Sequence, residues 1–201
     1  AGMTQPRRKL NARGRRTKRK IERTAIDLFA SRGYEQVTVT EIAEQAGVSR
    51  RLFSHYFASK REVLFGDSDD YLARFVDMLF AAQSPDLADA FIEALVEFSR
   101  NFPRSEIDVL RAGILRSQPA AAALGRSWDA EWRSAVGSWV AVRIGSPPNS
   151  FETRTVAAAL SALRQVVAEE LYDSEGRADL EDLARRAFAL VSFWNPSDPV
   201  S

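Results

Sequence analysis

Residues Glu41–Val63 read EIAEQAGVSRRLFSHYFASKREV, and between Arg50 and Phe57 that stretch interleaves two arginines and the chain's single histidine with three bulky aromatic side chains. Helix-start signals crowd around it. Thr38-Val-Thr-Glu41 is a capping box, in which the Thr38 hydroxyl can accept from the Glu41 amide while the Glu41 carboxylate reaches back. Ser49 is placed to cap a short helix over about 50–57, and Ser59-Lys-Arg-Glu62 is a second capping box.

The helices flanking Gly47 form one unit. A helix-turn-helix needs a small residue where its helices touch, a residue tolerant of positive φ in the turn, and apolar positions that hold the pair together. Ala43 supplies the first and Gly47 the second. The apolar set is Ile42, Ala46, Val48, Phe53 and Tyr56 or Phe57, which leaves Arg50, Arg51, Ser54 and His55 on the opposite face of the second helix. The aromatics therefore anchor a short helix to its own domain, while the cations face outward, suited to base edges in the DNA major groove. Lys60, beside the Ser59 cap, is expected to meet a phosphate, because a cation and free helix N–H groups converge there.

Working outward, Ile21, Ala25, Leu28 and Phe29 mark one face of a helix over about 18–32, which Gly33 stops. Ahead of it the cations from Arg7 to Lys20 have no acidic residue among them, which predicts a flexible basic arm over 1–17. Beyond residue 58 the periodicity predicts helices over 59–82, 86–101, 104–117, 120–144, 151–173 and 179–194, with a frayed tail from Asn195. The fold class is all-α with about nine helices: the arm, a helix-turn-helix domain over 18–64, and a larger helical domain over 65–201.

Charge separates the same parts. The formal net charge is only +1, yet residues 1–64 hold 15 Lys/Arg against 6 Asp/Glu, and residues 65–201 hold 13 against 21. Without cysteine and with one histidine, the chain lacks the side chains for a zinc site, a catalytic triad or a disulfide framework. A di-metal helical bundle fails too, since Leu52 stands where its Glu-x-x-His motif needs glutamate. An EF-hand loop from Asp67 would have Leu72 and Met78 in place of its glycine and final carboxylate. No catalytic residue, metal or cofactor is expected. No apolar run approaches a membrane span, so the expected location is the cytoplasm, with no membrane partner.

Two surfaces stand out in the larger domain. Leu160, Leu163, Val167 and Leu171, with Leu183, Ala187, Leu190, Val191 and Trp194, put apolar stripes on the last two helices. These either close the monomer core or form a four-helix bundle across a homodimer axis. Trp128, Trp132, Val136, Trp139 and Val140 make an aromatic stripe on one long helix, with Phe75, Leu79, Phe91, Leu95, Phe98, Ile114 and Leu115 as partners. Such a stripe is more often plain core than the wall of a pocket. Gly66 is a weak point where the connecting helix could bend.

Gly33-Tyr34, Thr38-Val39, Ile42-Ala43, Ala46-Gly47-Val48-Ser49, Phe53, Tyr56-Phe57 and Ser59-Lys60 together resemble the DNA-binding domain of the tetracycline-repressor (TetR) family. The resemblance implies DNA-facing positions at Thr38, Ser49, Arg50, Arg51, Leu52, Ser54, His55 and Lys60. Arg51 and Ser54 depart from the small residue and the tyrosine common there, which leaves the operator sequence open. It also implies a ligand-binding and dimerisation domain, with Phe75, Leu79, Phe98, Arg111, Leu115, Trp128, Trp132, Val136 and Arg164 as the effector site. The runs Leu110–Pro119, Arg143–Gly145 and Ala158–Arg164, with Trp128 and Trp132, resemble the mycofactocin-system regulators, a subgroup associated with acyl-CoA-like ligands. The function expected is a dimeric repressor that leaves double-stranded operator DNA on binding a small apolar or acyl-CoA-like effector. The competing reading is a constitutive DNA-binding protein without small-molecule input.

Overall fold

A computed structural model of the chain describes residues 11–66, 68–103, 105–174 and 177–191. Among the described residues there are ten helices and no strand: α1 (Ala12–Arg32), α2 (Val39–Gln45), α3 (Arg50–Tyr56), α4 (Lys60–Phe65), α5 (Ser68–Ala81), α6 (Leu87–Asn101), α7 (Glu106–Ser117), α8 (Pro119–Ile144), α9 (Phe151–Asp173) and α10 (Leu180–Val191). None is long and apolar enough to cross a membrane.

Two boundaries differ from the sequence reading, each for a local reason. The helix expected over 59–82 is two helices, because Gly66 takes φ +60° and ends α4. The guanidinium of Arg111 lies against that glycine so closely that a Cβ would fall 2.6–2.9 Å from it. The backbone there suits glycine, and a Cβ would also have to displace the guanidinium. At the other end, α1 starts at Ala12 rather than near Lys18, since the Asn11 side chain accepts from the Gly14 amide at 2.8 Å. Residues 12–17 of the expected arm are thus helical. Arg7, Arg8 and Lys9 lie outside the described residues, as do Trp194 and the tail from Asn195.

The chain divides into two compact units, Ala1–Gly66 with Glu106–Leu124, and Asp67–Ser105 with Gly125–Ser201. In the first, α1 packs against α2, α4 and α7. Ile21, Ile26, Phe29, Val37, Ile42, Phe53, Phe57, Leu64 and Ile114 are buried there. Helix α7, which a linear division would give wholly to the larger domain, is tied to α1 by ion pairs: Arg111 with Glu22 at 3.2 Å and Arg23 with Glu106 at 2.7 Å. In the second unit α5 packs on α6, and α10 on α6 and α9. Phe75, Leu79, Phe91, Trp132, Val136, Trp139, Val140, Leu160 and Val167 form one core.

Burial also sorts the stripes of the last two helices. Leu160 and Val167 face that core, with Leu183, Ala187 and Phe188 packed against it. The large apolar residues left outward are Phe151 at 75% exposure and Val166 at 57% on α9, and Leu190 at 80% and Val191 at 40% on α10. Leu163, expected in the dimer stripe, is half-buried.

Candidate nucleic-acid interface

The entry to α2 is fixed by the Thr38 capping box. Thr38 Oγ accepts from the Glu41 amide at 3.2 Å, and the Glu41 carboxylate accepts from both the Thr38 amide and hydroxyl at 2.8 Å. These hydrogen bonds, with a further one from Arg32, hold the Glu41 carboxyl below the usual carboxylate range. Helix α2 ends in a Schellman turn: Val48 N–H donates to Ala43 C=O at 2.9 Å and Gly47 N–H to Glu44 C=O at 3.0 Å, with Gly47 at φ +63°. Ser49 then caps α3, accepting from the Leu52 amide at 3.1 Å.

Helix α3 is held by its apolar side. Phe53 and Phe57 are 1% exposed, with ring centroids 5.8 Å apart. On the other side Arg50, Arg51, Leu52, Ser54 and His55 are all exposed. The structure thus brings together on one short helix five of the eight positions expected to face DNA. Thr38 and Ser49 are exposed beside them, but their hydroxyls are engaged in capping.

Lys60 stands differently from the expectation of a phosphate contact. Its Nζ donates to the carbonyl oxygens of Tyr34 at 2.8 Å, Val37 at 3.0 Å and Glu35 at 3.3 Å, and lies 4.5 Å from the Tyr34 ring. Three acceptors match its three protons. The helix start after Ser59 gave no sign of these long-range partners, which have no local signature.

Cations on α1 add to the same region. Arg13, Arg15, Arg16, Arg19 and Lys20 are exposed along its first half. Lys18 Nζ lies 5.7 Å from the Phe57 ring centroid, and Lys20 Nζ is 3.4 Å from where a Gly47 Cβ would be. From Arg13 to Lys20 the basic run therefore flanks the turn on a helix.

The nine positions expected to form an effector site fall into two groups. Phe75, Leu79, Phe98, Trp128, Trp132, Val136 and Arg164 share the core of the second unit. Phe75 and Trp132 have centroids 4.7 Å apart, Trp128 and Trp132 5.5 Å, and the Arg164 guanidinium sits 4.3 Å from the Trp132 ring while pairing with Asp129 at 3.4 Å. Arg111 and Leu115 lie on α7 in the first unit, where Arg111 is committed to Glu22 and Asp108. Open grooves of about 350 Å³ beside α5, α6 and α10 and about 630 Å³ beside α8 and α9 are lined by other residues. The aromatic cluster itself is packed. Among the described residues no group of three or more His, Cys, Asp or Glu is placed to hold a metal ion.

A capped helix-turn-helix whose second helix turns its cations outward, on an otherwise all-helical chain, defines a DNA-binding transcriptional regulator. Residues 21–65 match the bacterial regulatory proteins of the tetR family, and residues 85–193 match the MftR C-terminal domain. The chain belongs to the tetR family of transcriptional regulators. It is 34% identical over 140 residues, 68% of this chain and 70% of the other, to a mycofactocin biosynthesis transcriptional regulator, MftR, of Mycobacterium tuberculosis. With the HTH-type transcriptional repressor KstR2 of the same species it shares 42% identity over 57 residues, 28% of this chain and 26% of that one. Its fold is similar to that of NalD, the secondary repressor of the MexAB-OprM multidrug efflux pump in Pseudomonas aeruginosa, with a TM-score of 0.62 at 14% identity, over 91% of this chain and 97% of that one.

Proposed function

We propose that this chain is a homodimeric repressor that binds a two-fold pseudo-symmetric operator through α3 and is released by a small apolar or acyl-CoA-like effector. The observation that carries the reading is the outward face of α3, where Arg50, Arg51, Ser54 and His55 are exposed while Phe53 and Phe57 root the helix. Arginine can pair with guanine O6 and N7, Leu52 can meet a thymine methyl, and the α1 cations suit flanking phosphates. Thr38 and Ser49 act at the margin of this face, through the helix ends they cap.

Support for a dimer comes from Val166, Leu190 and Val191, large apolar side chains left exposed on α9 and α10. Two copies would set their recognition helices at a spacing suited to major grooves about 34–36 Å apart, or a multiple of that. The effector site is the cluster of Phe75, Leu79, Phe98, Trp128, Trp132, Val136 and Arg164. Ligand entry there repacks Phe75 against Trp132, and an anionic end would meet Arg164 in competition with its partner Asp129. An acyl chain supplies about 0.8 kcal/mol per buried CH₂, enough to select one helix arrangement over another. The relative in Mycobacterium tuberculosis carries the name of a mycofactocin biosynthesis regulator, and the C-terminal match to its domain supports a related regulatory role for this chain.

The test starts from a duplex selected out of a random pool by the chain. An acyl-CoA chain-length series is titrated with and without that duplex, with Trp132→Ala as control. Linkage requires the duplex to weaken ligand binding by the factor with which ligand weakens DNA binding. Equal ligand affinity in both arms removes the switch; no binding by any acyl-CoA removes that ligand class and leaves DNA binding standing.

A further inference from the structure

The turn between α1 and α2 leads directly into the helix-turn-helix, and it is gripped from two sides. On one side Lys60, the first residue of α4, gathers the carbonyl oxygens of Tyr34, Glu35 and Val37 onto a single ammonium. On the other side Gln118, at the joint between α7 and α8, accepts from the Tyr34 amide at 2.7 Å and donates to the Phe29 carbonyl at 2.8 Å. The Tyr34 residue is thus held at its N–H by one side chain and at its C=O by another. Its own ring is 8% exposed and packs 5.0 Å from Phe29, while Val37 is fully buried.

We propose that Lys60 and Gln118 are positioning residues for DNA recognition: together they clasp the 33–38 turn and so set how α2 and α3 project from α1. Neither touches DNA. The inference rests on the reading of α3 as the DNA-contacting helix. Its chemical basis is donor economy. Turning the Lys60 ammonium out to a phosphate would strand three carbonyls at a turn whose Tyr34 and Val37 side chains are buried, and an unpaired polar group there is costly. A planar guanidinium cannot replace it, because its donors lie in one fork while the three carbonyls converge on a point. Gln118 cannot be replaced by an apolar residue of similar size, since it supplies the acceptor for the Tyr34 amide just past the end of α1 and a second donor to the Phe29 carbonyl, which also accepts from Gly33 N–H at 3.0 Å.

The full chain is assayed by fluorescence anisotropy against a duplex it selected from a random pool and against a scrambled duplex of the same composition, across a KCl series. Lys60→Met and Gln118→Leu are each expected to cut the discrimination between the two duplexes by about tenfold, with the salt slope of wild type retained. Lys60→Arg is expected to discriminate as poorly as Lys60→Met. Gln118→Glu, which keeps the acceptor and loses the donor, should fall between wild type and Gln118→Leu. If Lys60→Met or Gln118→Leu does not fold, Lys60→Arg and Gln118→Glu decide the question by the same ratio. A phosphate contact would instead lower the slope by about one per subunit in Lys60→Met and leave Lys60→Arg like wild type, which overturns the proposal. So would an equal loss on both duplexes, the mark of mere destabilisation. Should the wild type enrich no duplex at all, the reading of α3 falls first and takes this one with it.

Discussion

The helix-turn-helix and the aromatic core of the second unit use the same side chains to opposite ends. In the first, Phe53 of the seven-residue α3 and Phe57 at its C-terminal cap lie inside while Arg50, Arg51 and His55 of that helix stay outside. In the second, aromatic rings meet across long stretches of chain, Phe75 with Trp132 and Phe91 with Trp139, and an arginine is drawn in over them, Arg164 above Trp132. Short helices cannot be stable on their own length, so each depends on a cap and one or two anchors, and the remaining positions are free for a partner. Long helices have surface enough to bury, and here their aromatics, with Arg164 of α9, are absorbed into packing, while Arg126 and Arg133 of α8 stay exposed. The aromatics therefore serve as anchors for a seven-residue helix and as part of a core on a twenty-six-residue one.

The most severe test of that contrast is to cut into the second unit. Trp139→Ala removes a side chain that is 1% exposed and should cost about 3–5 kcal/mol in urea denaturation followed by circular dichroism. A loss under about 1 kcal/mol would mean that the cluster is loosely filled and closer to a pocket than to a core.

The outer face of the same unit should behave oppositely. Val166→Glu with Leu190→Glu changes exposed positions, so the melting temperature of the protomer should hold while self-association weakens by about 2 kcal/mol or more. Sedimentation across a micromolar concentration range measures this, and a monomeric wild type would remove the two-fold operator. Val167, by contrast, is core, and a charge there should unfold the unit rather than merely separate subunits.

On α3 the expected effect is on recognition alone. Arg50→Ala and Arg51→Ala should each weaken binding to the selected duplex by about 1–3 kcal/mol for every base the arginine no longer reaches, relax specificity, and leave thermal stability unchanged. If the wild type binds as a dimer, a salt slope of about −5 to −7 is expected, and a slope near zero would end the electrostatic argument.

The smallest effects belong to the caps. Thr38→Ala should cost about 1 kcal/mol of stability at neutral pH. Glu41 sharpens this test, because its carboxyl is depressed in the fold by the Thr38 amide and hydroxyl and by Arg32. A depressed carboxyl contributes stability that is present above its unfolded pKa of about 4.3 and is lost as pH falls through the folded value. The gap between wild type and Thr38→Ala should therefore narrow on acidification, and a gap constant from neutral pH to about pH 2 would show that the Glu41 half of the box is idle.

Much of the first unit was legible because its determinants are local. Thr38 with Glu41, Gly47 in its turn, Ser49 and Ser59 act within four residues of the helix ends they govern, so spacing alone located α2, α3 and the start of α4. The break at Gly66 was only half legible. Glycine marked a weak point, but the end of α4 there also involves Arg111, forty-five positions away in the chain. The outward side of α3 was readable for the same reason as its caps: a helix of seven residues has only two faces worth distinguishing, and the aromatics choose between them.

An all-helical chain, the helix-turn-helix and its exposed cations follow from residue order alone, since caps, turn glycines and helical period are set by neighbours along the chain. Where long side chains spend their donors is settled only by the packed fold. Lys60 stands beside a helix start, yet its ammonium goes to carbonyls twenty-three to twenty-six residues away. Gln118 reaches residues more than eighty positions distant. Arg111 ties α7 to α1 and lies against Gly66, while Arg164 shares the aromatic cluster. The physical reason is reach: a flexible side chain of several bonds is a point of charge or a pair of hydrogen-bonding groups that any surface brought near can claim, and what is brought near depends on packing rather than on spacing.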